Sequence, residues 1–94
     1  MHTFKASKHF PLGRIVITAN AARTLHPADV QGAMLRHAFG DWGEVCRADW
    51  AENELALKEG ERLVSAYRDR AQQLFYVITE ADRTLTTCML REDY

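Results

Sequence analysis

The chain has 94 residues, with 12 Lys plus Arg against 13 Asp plus Glu, a formal charge of −1 and a hydrophobic fraction of 47%. That is enough for one small domain and too little for two, and the composition is that of an ordinary globular protein. The charge balance excludes the basic excess of a dedicated nucleic-acid binder and the acidic excess of a protein that mimics DNA by charge.

Met1–His9 is polar with little periodicity and reads as a loose arm. Its Met1–Lys8 part carries charge but no apolar h-region, so it is no secretory signal. No apolar run approaches the ~20 residues of a membrane span, and the expected compartment is the cytoplasm. Phe10-Pro11-Leu12-Gly13 is a turn feeding a short strand, Arg14–Thr18, marked by β-branched Ile15-Val16-Ile17. Asn20–Leu25 allows a short helical turn, which His26-Pro27 interrupts. Proline at the first helical position then starts a helix over Pro27–Phe39. Its apolar stripe is Val30, Met34 and Ala38, widened by Leu35 and Phe39, and Gly40 stops it.

Gly40-Asp41-Trp42-Gly43 predicts a tight loop, followed by a helix over about Arg47–Lys58 with Cys46, Trp50, Asn53 and Leu57 on one stripe. Gly60 ends it. The period then changes to two. Strands are expected at Leu63–Tyr67, Leu74–Thr79 and Thr84–Leu90, joined by polar turns as an antiparallel meander. The fold class is α+β, with two to three helices packed on one face of a small antiparallel sheet in the order β-α-α-β-β-β. One domain spans residues 1–94.

Several chemistries have no motif here. There is no phosphate-binding glycine loop, dinucleotide fingerprint, nucleophile elbow or metalloprotease motif. Cys46 and Cys88 form no CxxC pair, and no His-x3-His spacing exists, so no metal and no cofactor is expected. The two thiols are expected to be reduced and mostly buried. His2, His9 and His26 fall in loops without ligand spacing.

Five constellations remain. In the Gly40–Gly43 loop, Trp42 suits a binding anchor with Asp41 as acceptor, since Trp is enriched at hot spots. The structural reading has Trp42 folding back on the core and Asp41 capping the next helix, and it is preferred because Trp is highly buried on average. His37 sits on the same side as Val30, Met34 and Ala38; a satisfied boundary histidine is preferred over a general base. Glu80, Asp82 and Arg83 crowd a turn with Thr86 and Thr87 beyond it, a set that suits a phosphate or a charged partner, but a hairpin turn closed by local hydrogen bonds is preferred. Asn53 on an apolar stripe predicts an amide that pins one backbone segment to another. Arg62, Arg68, Asp69 and Arg70 predict a solvated edge.

The stretches Leu12-Gly13-Arg14-Ile15-Val16, Arg36-His37, Gly40-Asp41-Trp42-Gly43, Ser65-Ala66-Tyr67-Arg68 and Ile78–Thr87 together resemble a family of small bacterial proteins found on plasmids and integrated mobile elements. The likeness runs from Leu12 to Tyr94. Members are often labelled as a modification subunit of a type I restriction system. An adenine methyltransferase needs a much longer cofactor-binding domain and an Asn or Asp-Pro-Pro-aromatic motif, and neither Pro11 nor Pro27 lies in one. What the resemblance implies is a setting among defence genes on mobile elements, and so host interaction or counter-defence. Helices followed by a meander are also similar in topology to barnase-like and RelE-like ribonuclease toxins.

The function expected is a non-enzymatic protein-binding regulator or inhibitor, an anti-restriction or anti-CRISPR protein being one form of it. It would contact its partner through Asp41, Trp42, Glu80, Asp82 and Arg83. A homodimer formed through a sheet edge or a helix face is compatible with this. Protein ranks above nucleic acid as a partner, and no membrane role is expected. The alternative is a metal-independent ribonuclease or RNA binder using His37 as base or acid, Arg83 on phosphate, and Thr86 and Thr87 for positioning. It requires those side chains to converge in one cleft.

Overall fold

The computed structural model describes residues 9–94, so the arm expected over Met1–His9 lies outside it except for His9, whose backbone N–H donates to the Ala38 carbonyl at 2.9 Å. The elements are β1 (Arg14–Ile17), α1 (Ala19–Thr24), α2 (Pro27–Ala38), α3 (Arg47–Glu59), β2 (Leu63–Arg68), β3 (Leu74–Thr79) and β4 (Leu85–Leu90), closed by a 3₁₀ turn at Arg91–Asp93. The class is α+β, with three α-helices and four strands among the described residues.

The first two helices begin at side-chain caps. Thr18 caps α1 by accepting the Ala21 N–H at 3.1 Å. His26 caps α2 through Nδ1, which accepts the Ala28 N–H at 3.0 Å, and Pro27 takes the first turn, where its missing N–H costs nothing. Gly60 ends α3 in the left-handed region at φ 71°.

The sheet order is β1-β4-β3-β2. β2, β3 and β4 form the expected antiparallel meander, but β1 lies parallel to β4, so the sheet is mixed. Gly13 makes this junction possible. It has φ 66°, and a Cβ there would stand 2.4 Å from the Thr84 carbonyl carbon. The backbone can therefore close onto β4 just before β1 begins.

One sheet face carries the core. Leu63, Thr79, Thr86 and Ile15 form one row across it, and Ser65, Val77, Cys88 and Ile17 the next. α2 covers this inner face with Ala33, Met34, His37 and Ala38, and Phe10, Leu25 and Trp42 join the cluster. Leu35 does not widen the buried stripe as expected; it is exposed. The stripe expected on α3 holds only at Asn53 and at Leu57, which is partly buried against the core. Only Asn53 of that helix is buried, while Cys46 and Trp50 are exposed. The reason is position: α3 lies along the edge of the sheet, beside β2, rather than over a face.

That edge placement explains Asn53. Its Nδ2 donates to the Val64 carbonyl at 2.8 Å, and its Oδ1 accepts the Val64 N–H at 3.2 Å. One side chain thus supplies both partners that a neighbouring strand would have offered. One residue pair further on, Ala66 N–H donates to the Trp42 carbonyl and Glu44 N–H to the Ala66 carbonyl, at 3.1 and 2.7 Å. At Val64 and Ala66 the outer edge of β2 is closed.

Candidate functional site

His37 is fully buried, and its hydrogen bonds fix its state. The Thr86 hydroxyl donates to the Leu12 carbonyl at 2.6 Å. Thr86 must then accept from Thr79, at 2.7 Å. Thr79, its proton spent, accepts from His37 Nε2 at 2.8 Å. The neutral ring therefore carries its proton on Nε2, and Nδ1 accepts from the Ser65 hydroxyl at 2.5 Å. Burial above all, and then the Arg83 charge, pushes the His37 pKa down to about 4. The ring is flanked by Phe10 and Trp42, both edge-on, at centroid distances of 5.3 and 5.6 Å. A neutral, enclosed imidazole with both nitrogens engaged has no access to a substrate proton.

Trp42 is also fully buried, stacked on Phe10 at 6.1 Å, with Nε1 donating to Glu54 at 2.8 Å. It is part of the core, not an exposed anchor. Asp41 does not cap α3. It forms a two-point pair with Arg36, at 2.7 and 3.3 Å, and accepts the Gly43 N–H at 3.1 Å. Arg36 holds its carboxyl below the usual range. Arg36 also lies over the Tyr67 ring at 4.7 Å, and the Tyr67 hydroxyl donates to the Asp41 carbonyl. The loop is thereby locked to α2 and β2.

The Glu80–Arg83 turn is equally occupied. Asp82 accepts from both the backbone and the hydroxyl of Thr84, at 3.1 and 2.6 Å. Arg83, at φ 62°, sends its guanidinium to the carbonyls of Glu61, Glu80, Ala81 and Ala56. It ties the hairpin to the end of α3 and offers no free fork to a phosphate. Of the remaining ribonuclease candidates, Thr86 lies on the inner face, while Thr87 points to the opposite one. The four side chains do not meet in a cleft. The arginines expected at a solvated edge are dispersed: Arg68 pairs with Glu44, Arg70 with Asp29, and Arg62 donates to the Tyr94 hydroxyl. Cys46 is exposed, against expectation, and Cys88 is buried.

The open surface lies elsewhere. β1 is an edge strand, and its inner-face side chains Ile15 and Ile17 are 51% and 40% exposed. They form one wall of a groove of about 570 Å³ whose other wall is Leu25, Pro27, Val30 and Met34. The backbone beside it pairs with no other described strand. Arg14 N–H donates to the Thr84 carbonyl and Thr18 N–H to the Cys88 carbonyl, which turns Arg14, Val16 and Thr18 toward β4. The N–H and C=O groups of Ile15 and Ile17 then point outward, and among the described residues no backbone group meets them. The sequence signal for this site was Ile15-Val16-Ile17 itself. Three successive apolar residues read as a strand covered on both sides, and among the described residues nothing supplies that cover.

A second depression, of about 350 Å³, lies between α3 and Tyr94, lined by Asp49, Glu52, Glu61 and Arg62. It mixes both charge signs and gathers no catalytic set. Among the described residues no three His, Cys, Asp or Glu side chains are arranged to hold a metal ion, and no helix is long and apolar enough to cross a membrane. No family model matches the chain, and no curated protein and no solved structure shows significant similarity to it.

Proposed function

We propose that this chain is a small non-enzymatic regulator or inhibitor that works by binding another polypeptide. The observation that carries the proposal is the apolar groove beside the outer edge of β1, which no other described strand pairs. A segment added there in extended form would satisfy the outward groups of Ile15 and Ile17, and its alternate side chains would enter the groove. Covering the exposed half of each isoleucine is worth about 1 kcal/mol. The engagement of His37, Arg83 and Thr86 in structural hydrogen bonds favours binding over catalysis. The resemblance to proteins of mobile elements supports a setting in host interaction or counter-defence.

The test is a photo-crosslinking amino acid at Gln31, an exposed residue of the groove wall, against the same probe at Lys58 at the far end of α3. Irradiation in cells is expected to give a polypeptide adduct at Gln31, lost when Ile15→Lys, at an exposed residue of the opposite wall, closes the groove to apolar side chains. Adducts at Lys58 with none at Gln31 would mean that the groove is not the binding surface.

A further inference from the structure

We infer that the partner of the β1 edge is a second copy of this chain, paired antiparallel about a twofold axis at Val16. This rests on reading the edge and groove as a protein-docking surface, and adds what docks there. The first argument is register. Ile15 and Ile17 present the outward groups of β1, and Val16 turns its own toward β4. In an antiparallel ladder, only residues that both face the partner can exchange N–H and C=O. Setting Ile15 opposite the second copy's Ile17 satisfies every outward group of Ile15 and Ile17 on both strands, with four hydrogen bonds. A slip of one residue puts outward groups against inward ones and loses them all.

The second argument is the side chains. This register places isoleucine beside isoleucine on the groove side, and β-branched pairs across strands are favourable. The two grooves open onto each other. Arg14 falls opposite Thr18 of the other copy, so no like charges face across the seam. The third argument is closure. The combined sheet would run β2-β3-β4-β1-β1-β4-β3-β2. Both of its outer strands are β2, already closed at Val64 and Ala66 by Asn53 and the Gly43 segment. An isologous pair therefore ends the assembly, whereas a head-to-tail contact would leave another β1 edge open.

Sedimentation of the purified full chain over rising concentration tests the inference, with a disulfide trap to test the register. Wild type is expected to move from one toward two times 10.8 kDa, and Ile17→Lys to raise the dissociation constant by about tenfold or more. In a Cys46→Ser background, Val16→Cys is expected to form an intermolecular disulfide under mild oxidation. The two Val16 residues would face each other as a non-hydrogen-bonded pair, with Cα atoms about 4.5 Å apart. Arg14→Cys in the same background, far from its own copy, is expected not to. A dimer that survives Ile17→Lys, or crosslinking at Arg14→Cys and not at Val16→Cys, overturns the inference. A strictly monomeric wild type with a foreign adduct at Gln31 also overturns it while leaving the docking surface in place. A monomer with no Gln31 adduct removes both.

Discussion

The imidazole of His37 enters the fold neutral, and this leaves a pH signature. Its folded pKa of about 4 lies below the 6.5 of an unfolded histidine. Between those values the unfolded chain takes up a proton that the folded chain does not. The stability this group contributes is therefore complete above pH 6.5 and is lost as pH falls toward 4, by roughly 3 kcal/mol in all. Urea unfolding at a series of pH values across that window is expected to show the loss. His37→Gln keeps a donor for Thr79 but does not titrate, so between pH 6.5 and 5, above the range where the lowered carboxylates take up protons, its stability is expected to be flat. A wild type as flat as the variant would refute the assignment. The cysteines make a second contrast at this scale. Burial pushes the Cys88 thiol up to about 12, whereas Cys46 is exposed. A thiol reagent such as Ellman's is expected to titrate one thiol in the native chain and two in denaturant. That Asn53 would pin backbone was legible in the sequence, because a buried amide must be satisfied. That His37 would be enclosed was not, since its partners Ser65 and Thr79 lie on strands distant in sequence.

At the scale of elements, the two edges of the sheet are treated oppositely, and one substitution separates them. Asn53→Ala removes both partners of Val64 and is expected to cost about 2 kcal/mol. Hydrogen exchange should localise the effect. The Val64 amide is expected to lose protection, and the Ala66 amide to keep it, because it donates to Trp42. Equal loss at both would mean that α3 had detached as a unit. The strands and helices themselves were legible: β3 falls where expected, and the others within a residue or two. The parallel union of β1 with β4 was not. Hairpin turns announce neighbours that follow one another along the chain, but nothing local announces a pairing of Arg14 with Leu85. The groove escaped for the same reason. Ile15 and Ile17 look identical in sequence whether a strand lies beside them or not.

For the whole molecule, charge plays a small part. The net charge is −1, and the ion pairs Arg36–Asp41, Arg68–Glu44 and Arg70–Asp29 lie mostly at the surface. Exposed pairs contribute about 0–1 kcal/mol each and are screened by salt. Unfolding free energy is therefore expected to shift by no more than about 1 kcal/mol between low and physiological sodium chloride. Self-association through β1, built from apolar contact and backbone groups, is expected to be as insensitive. A dissociation constant that rose steeply with salt in sedimentation would place the contact on a charged surface instead.

The parallel seam also has a consequence in time. β1 is made first of the strands and β4 last, and the pairing of Arg14 with Leu85 spans 71 residues (85 − 14). At ribosomal rates of about 5–20 residues per second, roughly 4–14 s pass between them. Throughout that interval a nascent chain holds Ile15-Val16-Ile17 with no strand on either side. On a polysome, where neighbouring ribosomes carry the same unfinished chain, the first strand that β1 meets can be another β1.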